Sequence, residues 1–434
     1  MIRYCEENNY KCIPTAIIAL AALLLRNSNG TTHSTFHLPL DKVFKDTILE
    51  ITKSSLTGKK ILEANVLIID EITALNCIYF DLIENTVSNI NNPSTPHNTH
   101  TVPHTPFGNK IVIVGGDFRQ ILPITPHATR AQIIANTVKH SEIWPHRIEI
   151  HLTQNMRVLQ SVHDDIEKQK QIKQFIEWIL SVGNGTIQSP FPLPPFAGKV
   201  VYSLNDLIDN IYPDLITKYV DISYLKERAI LTPLNKDSLD INSTLLNRIP
   251  GDLHTYYSAD SLINQAELPY YPQEFLNSLT LSGQPPHKLE LKLNVPCILL
   301  RNLNSRNGEC NGVRLIPIEF RKHVIKMRII TGKSTHKEIL LPRIDLDTIN
   351  TELPFTMRRR QFPIRVCFSM TINKAEGQSL NKVGLYLPHD VFAHGQLYVA
   401  VSRCTAPDSL VLFDPRSSPE HPPLLHNIVY KEVL

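Results

Sequence analysis

The sequence predicts an α/β protein built on parallel sheets, and three observations carry that prediction. Short apolar runs, Leu67 to Asp70 and Ile111 to Val114, end abruptly in carboxylates or in a glycine pair, as buried strands do at the ligand-binding edge of a parallel sheet. Up to about residue 150 such runs alternate with amphipathic helical stretches, the pattern of strands joined by crossover helices. Farther along, Arg228 to Pro250 and Arg365 to Leu412 bracket short strands between about Pro269 and Arg343, so a second sheet-bearing region carries an inserted β segment. With 434 residues and 42% hydrophobic content the chain can bury two or three cores.

Residues 67 to 71 read Leu-Ile-Ile-Asp-Glu. An apolar strand would deliver Asp70 to its C-terminal edge, where one carboxylate can hold Mg²⁺ and the next, Glu71, can take a proton from an attacking water. This is the pattern of a Walker B element, although a core strand running into a solvated turn would give the same letters. Residues 111 to 123, Ile-Val-Ile-Val-Gly-Gly-Asp-Phe-Arg-Gln-Ile-Leu-Pro, form a second β-branched run. Its glycines open backbone conformations closed to other residues, and Asp117, Arg119 and Gln120 emerge just beyond the strand end. A glycine turn alone explains the glycines but not the polar cluster.

Asn89 to Pro106 reads as a polar loop, and its His97, His100 and His104 have no acidic or cysteine partner nearby that would make them metal ligands. Gln154-Asn155-Met156-Arg157 follows another apolar segment. Ser161 to Leu180 predicts a helix with Ile166, Ile172, Ile176 and Leu180 on one buried stripe, stopped by Gly183 and Gly185. The Pro-rich Ser189 to Gly198 predicts a linker or loop. Pro296 to Arg301 and Asn311 to Ile316 predict strands joined by a glycine-bearing turn, and Gly332-Lys333-Ser334 predicts a hairpin turn. Gly395 to Arg403 reads Gly-Gln-Leu-Tyr-Val-Ala-Val-Ser-Arg, and the tail beyond Asp414, rich in Pro, Ser and His, is expected to fray.

Together these blocks resemble the helicases of superfamily one, most closely the Pif-type (petite integration frequency) DNA helicases, including the helicase portions of Helitron transposons. The resemblance runs over roughly residues 30 to 415, through Gly30 to Phe36, the Asp-Glu pair, Gly115 to Pro123, Asn155 to Arg157, Cys310 to Leu315, Ser369 to Leu380 and His394 to Arg403. It implies two RecA-like lobes, the first at 1–151 and the second at 152–265 and 364–415. A small SH3-like β-barrel would be inserted at 266–363, and a flexible tail would occupy 416–434.

The same resemblance implies an ATP-dependent DNA helicase that uses ATP and Mg²⁺. Asp70 would ligate the metal, Glu71 would polarise water, and Gln120 would sense the γ-phosphate. Arg157 and Arg403 would act as arginine fingers across a cleft, and Gly377 and Gln378 would touch the nucleotide. DNA contacts would come from Thr32, His33, Ser34, Thr35 and Phe36 and from Thr371, Asn373 and Lys374, groups that hold phosphates and stack bases without reading sequence. Where the family has Ser-Gln this chain has Ala375-Glu376, and a carboxylate there would weaken the grip on a phosphate backbone. The implied partners are single-stranded and forked DNA, for a monomer moving 5′ to 3′ in repair, recombination and telomere maintenance, in the nucleus or mitochondrion.

One departure bears on activity. The family opens with Gly-x-x-x-x-Gly-Lys-Ser/Thr, whose amides and lysine cradle phosphates, and the sequence holds no such segment; before Gly332-Lys333, Met327 stands where the first glycine belongs. Lys11 to Leu25 resembles the strand and helix that follow the phosphate loop, so the chain is expected to start just past it, with at most a remnant of the loop helix in Met1 to Cys12. A strand would then be missing from the middle of the first sheet. Each unmade buried bond between its neighbours would cost about 1–3 kcal/mol, against a total stability of about 5–15 kcal/mol. The chain alone is therefore expected to be inactive. Three readings follow: a helicase, a non-catalytic single-stranded-DNA-binding remnant of a Helitron-type mobile element, or a structural partner that reuses the fold.

Composition adds little. The 44 basic and 41 acidic residues leave +3, so no global field marks a polyanion partner. Arg358-Arg359-Arg360 and Arg321 to Lys326 are the candidate basic patches, with solvated charge runs as the plainer meaning of each. Seven scattered cysteines without a Cys-x-x-Cys pair argue against a zinc site or a disulfide framework. Ala16 to Leu25 is about half the length a membrane span needs, and Glu6 and Glu7 oppose a leader peptide.

Overall fold

Two parallel sheets organise the protein, which the computed structural model describes at residues 1–28, 30–39, 43–91, 105–152, 166–304, 307–332, 334–348 and 353–434. The described residues of 1–153 and 430–434 form one compact unit, and those of 154–429 form a second.

In the first unit, Cys12–Ala16, Val66–Asp70 and Ile111–Val114 run parallel in that order. The register sets Cys12 beside Val66 and Ala16 beside Asp70, so two strand ends arrive together at the Asp-Glu pair. Val66 to Ile69 are all buried, as a β-branched run becomes when helices cover both faces of a sheet. Helix Leu56–Glu63 starts at Ser55, whose hydroxyl accepts the Gly58 N–H at 3.0 Å. Helix Cys77–Asn91 turns Phe80, Ile83, Val87 and Ile90 onto one face. That face shares a core with Ile13, Phe36, Leu67 and Ile69. The strand and helix expected between Lys11 and Leu25 are Cys12–Ala16 and Ala19–Leu24.

The expected gap inside this sheet is not there. The three strands are contiguous, and the sheet stops at Ile111–Val114, whose outer edge no described strand pairs. Ile111 is 60% exposed, so the edge groups reach water and escape the burial cost expected for them. Residues 147–152, Arg-Ile-Glu-Ile-His-Leu, carry a strand-like alternation without pairing as a strand, and Ile148, Ile150 and Leu152 are 92%, 81% and 96% exposed.

In the second unit five strands are parallel, in the order Ser369–Thr371, Arg228–Thr232, Lys382–Tyr386, Leu410–Phe413 and Lys199–Val201. Antiparallel sheets fill the segment between Arg228–Thr232 and Ser369–Thr371. The largest has the order Glu338–Pro342, Val324–Ile329, Arg314–Phe320, Cys297–Leu299 and Ile364–Val366. Strands His254–Tyr257 and Lys288–Leu291 pair, so antiparallel structure begins before the expected boundary at residue 266. Cys297 faces Leu315 in the hairpin expected there, and the Gly332 turn joins Val324–Ile329 to Glu338–Pro342, with Lys333 outside the described residues.

Other expectations are corrected by burial. The helix expected from Ser161 is described over Ile166–Gly183 and buries Ile172, Phe175, Trp178, Ile179 and Val182, while Leu180 faces out. The two aromatics, with more surface to hide, set the stripe. The Pro-rich segment is the expected loop rather than a free linker: Phe191–Pro192 pairs with Leu424–Leu425, the rest has no regular structure, and Phe191, Leu193 and Ala197 are buried. The same pairing folds the tail expected to fray, anchored by buried Leu425 and Val433 and by an Arg130–Glu432 ion pair at 2.8 Å. Arg358-Arg359-Arg360 is not a free basic patch. Arg358 and Arg360 pair with Asp347 and Asp345, and the fully buried Arg359 pairs with Asp260 at 2.6 Å. In the other basic stretch Arg321 pairs with Glu319 and Lys326 with Glu338.

Among the described residues no helix is long and apolar enough to cross a membrane and no group of His, Cys, Asp and Glu could hold a metal on its own. His97, His100 and His104 lie outside the described residues, and all seven cysteines are free.

Candidate functional site

Strand Val66–Asp70 presents Asp70 half-buried at its C-terminal end, where Asp70 Oδ1 accepts the Glu71 N–H at 3.1 Å. Glu71 then takes φ +56° and ψ +40°, a left-handed conformation that costs a non-glycine residue about 1–2 kcal/mol. Strain of this kind collects where a side chain must be aimed. Gly115 follows the neighbouring strand, its N–H bonded to Ile69 O and its carbonyl to Ile72 N. A Cβ on Gly115 would sit 3.0 Å from Asp70 Oδ1, and one on Gly116 would sit 2.9 Å from Thr73 Cγ2. Gly115 therefore keeps the approach to the carboxylate open, and Gly116 lets the chain pass close to Ile72 and Thr73.

Asp117, Arg119 and Gln120 continue from those glycines. Asp117 Oδ1 accepts the Arg119 N–H at 3.1 Å, and Asp117 O accepts the Gln120 N–H at 3.0 Å. Gln120 Oε1 is buried and accepts no hydrogen bond from the described residues, although buried amides are almost always satisfied. A buried amide oxygen with no partner among the described residues suits a group that bonds only when ligand or water arrives. A single carboxylate also fits Mg²⁺, which keeps several waters and is held through one or two carboxylates plus phosphates.

The segment expected to touch DNA in this unit divides. Thr32 is fully buried and donates its hydroxyl to Thr15 Oγ1 at 3.1 Å, and Phe36 is a core residue at 0% exposure. Neither side chain is at the surface, because the short helix Thr32–Thr35 packs them against strand Cys12–Ala16 and the apolar core. Ser34 is exposed, and His33 and Thr35 are partly exposed. His33 stands edge-on to Tyr79 at 5.4 Å, and burial lowers its pKa, favouring the neutral ring.

In the second unit, Ser369–Thr371 is the edge strand of the parallel sheet and leads into the turn holding Asn373 and Lys374. Asn373 Oδ1 accepts from Gln396 Nε2 at 3.2 Å, and Thr371 is buried at 8% exposure. Lys374 is partly buried with no carboxylate partner among the described residues, and desolvation together with Arg365 pushes its pKa down to about 8. Gly377 takes φ +76° and lets Gln378 turn back, so that Gln378 Nε2 donates to Lys374 O at 2.9 Å. Gln378 O accepts from Arg403 Nη1 at 2.9 Å, and Arg403 Nε donates to Val399 O at 3.0 Å. Glu376 is buried rather than presented to solvent. Arg157 lies outside the described residues.

Sequence reasoning missed two kinds of residue here. Asn242 bonds the backbone of Phe368 and Ser369 from a neighbouring helix, and Arg365 of strand Ile364–Val366 and Arg301, two residues past strand Cys297–Leu299, both lower the pKa of Lys374. No local pattern marks either, because both arise from tertiary contact.

Residues 1–191 match the PIF1-like helicase family, and residues 274–320 match the 2B domain of DNA helicase Pif1. The chain is similar to the PIF1-like helicases over these residues. It is 24% identical over 398 residues to the ATP-dependent DNA helicase PIF1 of Xenopus laevis, covering 89% of this chain and 53% of that protein. It is 24% identical over 411 residues to the ATP-dependent DNA helicase Pif1 of Campylobacter jejuni, covering 91% and 80%. The chain thus spans about half the length of the vertebrate relatives it matches. A Bacteroides Pif1 bound to single-stranded DNA shares the fold with a TM-score of 0.62 at 21% identity, covering 94% of this chain and 84% of that one. The Pif1 helicase of Candida albicans does so with a TM-score of 0.62 at 21% identity, covering 95% and 86%. The two parallel sheets are the RecA-like lobes of this PIF1-like fold.

Proposed function

We propose that this chain is the motor region of an ATP-dependent DNA helicase that couples Mg-ATP hydrolysis to 5′-to-3′ movement along single-stranded DNA and to duplex unwinding. The observation that carries the reading is the strand-end constellation of the first unit. Asp70 is kept clear by Gly115, Glu71 is held in a left-handed turn, and Gln120 Oε1 is buried with nothing to accept from the described residues. In this reading Asp70 holds Mg²⁺, which neutralises charge on the phosphates; Glu71 orients and deprotonates the attacking water, and Gln120 answers to the γ-phosphate. Ser34, Asn373 and Lys374 hold the strand, and the antiparallel segment from His254 to Val366 rests against it. Work on forked DNA in repair, recombination and telomere maintenance, in the nucleus or mitochondrion, follows from family likeness.

A second reading has its own observation. These 434 residues contain no Gly-x-x-x-x-Gly-Lys-Ser/Thr segment, and phosphate binding in such motors depends on its amides and lysine. By themselves they would then bind single strands without turning over ATP, as a Helitron-type remnant would. ATP hydrolysis by the purified chain, with and without oligo-dT and with Glu71→Gln as control, tests both. DNA-stimulated turnover abolished by Glu71→Gln supports the motor. Oligo-dT retention on filters without turnover supports the binding remnant, and neither activity would overturn both.

A further inference from the structure

Near its end the second unit holds the chain firmly. Asn427 N–H donates to Ser189 Oγ at 2.9 Å, Asn427 Nδ2 donates to Val182 O at 2.8 Å, and Ile428 O accepts the Gly395 N–H at 3.1 Å. The unit stops at Val429, and the next residues, Tyr430 to Leu434, belong to the first unit. There Arg130 Nη2 donates to both Glu432 oxygens, at 3.0 and 2.8 Å, while its guanidinium lies 4.6 Å from the centre of the Tyr430 ring. Val433 is fully buried. An exposed ion pair alone holds little, so the buried valine and the double use of Arg130 seat the segment together.

The seat ends beside the turn that follows the glycine pair. Lys139 Nζ donates to Leu434 O at 3.1 Å and stands 4.6 Å from the centre of the Phe118 ring. Phe118 meets Trp144 edge-on at 5.9 Å, and Arg147 lies 5.0 Å from the Trp144 ring centre. Phe118 shares its turn with Asp117 and Gln120, closed by the Gln120 N–H to Asp117 O bond at 3.0 Å. One ammonium group therefore joins Leu434 to that turn.

We infer that Tyr430 to Leu434 brace the Asp117–Gln120 turn, and that Phe118 and Lys139 are positioning residues for the hydrolysis proposed above. The inference rests on that reading of Gln120. An ammonium over an aromatic face is attractive and holds the ring in place, and a held ring restrains the backbone on either side of it. Gln120 then meets its ligand already oriented, with less freedom to lose. Because Val429 and Tyr430 are consecutive, an event in the second unit that draws this segment away reaches the turn through covalent bonds.

The test is hydrogen–deuterium exchange of the full chain, read by mass spectrometry at residues 115–123 and, as reference, at 66–70. Lys139→Met and Val433→Asp should each speed exchange of 115–123 about fivefold, the factor that corresponds to one lost contact of this class, and leave 66–70 unchanged. Combining them should add nothing further, since both cut the same path. Lys139→Arg keeps a cation and a donor and should exchange as wild type does. Arg130→Gln, at an exposed position, loosens the segment without touching the core and should give a smaller change of the same sign. Acceleration by Lys139→Met alone, with folded Val433→Asp and Arg130→Gln at the wild-type rate, overturns the brace. Equal acceleration of both regions also overturns it, since that marks a general loss of stability. The readout needs no nucleotide: absence of ATPase activity sinks the motor reading and leaves the brace standing on exchange, whereas unchanged exchange in every variant sinks the brace and leaves the motor.

Discussion

The side-chain amide of Asn242 closes both backbone hydrogen bonds of Ser369. Its Oδ1 accepts the Ser369 N–H at 2.8 Å, and its Nδ2 donates to Ser369 O at 2.9 Å. The same Oδ1 takes the Phe368 N–H at 2.8 Å. A single buried amide thereby fixes the start of the edge strand Ser369–Thr371, which leads into the turn of Asn373 and Lys374. Asn242→Asp removes the donor to Ser369 O and places a charge among buried backbone. Urea unfolding should show a loss of about 1–3 kcal/mol, and oligo-dT affinity should fall with it; an unchanged midpoint would contradict this positioning role.

Arg359 and Asp260 make the buried ion pair of the antiparallel region, with Arg359 also donating to the carbonyls of Leu276, Leu279 and Pro285. Arg359→Met strands a carboxylate inside the protein and should cost about 3–5 kcal/mol. Arg358→Met, one residue away, removes only the partly exposed pair with Asp347 and should cost less than about 1 kcal/mol. Chemical denaturation of the two variants side by side measures the contrast.

Lys374 gives binding and stability opposite responses to pH. Burial, with Arg365 and Arg301 in its field and only Cys367 opposing them, brings its pKa to about 8 from the ordinary 10.5. Between those values the unfolded chain holds the proton more tightly, so this group's contribution to stability rises with pH through that window. Phosphate binding needs the charged amine, so oligo-dT affinity should fall as pH climbs through about 8. Lys374→Arg should flatten the binding profile, and anisotropy from pH 7 to 9.5 with both proteins decides the point.

Glu71 should trade stability for position. With φ at +56°, Glu71→Gly relieves the left-handed strain and should raise the unfolding free energy by about 1 kcal/mol once the greater freedom of the unfolded glycine is counted. Glu71→Gln keeps the strain and should leave the melting temperature unchanged. Differential scanning calorimetry of the three proteins separates these outcomes.

The strand carrying Asp70 was legible because four buried apolar residues in a row have no other economical arrangement, and Gly115 and Gly116 marked a second strand end by the space they leave. Phe36 and Thr32 were misread, since a four-residue helix is too short for its inner face to show in the letters. The stripe of Ile166–Gly183 slipped because Phe175 and Trp178, rather than the aliphatic residues, had the most surface to hide. The tail gave no sign of order, its anchors Leu425 and Val433 standing eight residues apart, one just after Pro422 and Pro423 and the other beside Lys431 and Glu432. Arg301 and Arg365 were silent for a different reason, as they bond the carbonyls of Gly283 and Gln284, distant segments that meet only after folding.

The bare margin of the first sheet has a practical consequence. Ile111–Val114 offers a row of main-chain partners that no described strand takes up, and Ile148, Ile150 and Leu152 add exposed apolar side chains to the same unit. Two molecules can zip together along such margins. Concentrated stocks of the isolated chain should turn cloudy on warming, and Ile148→Lys with Ile150→Lys should keep them clear.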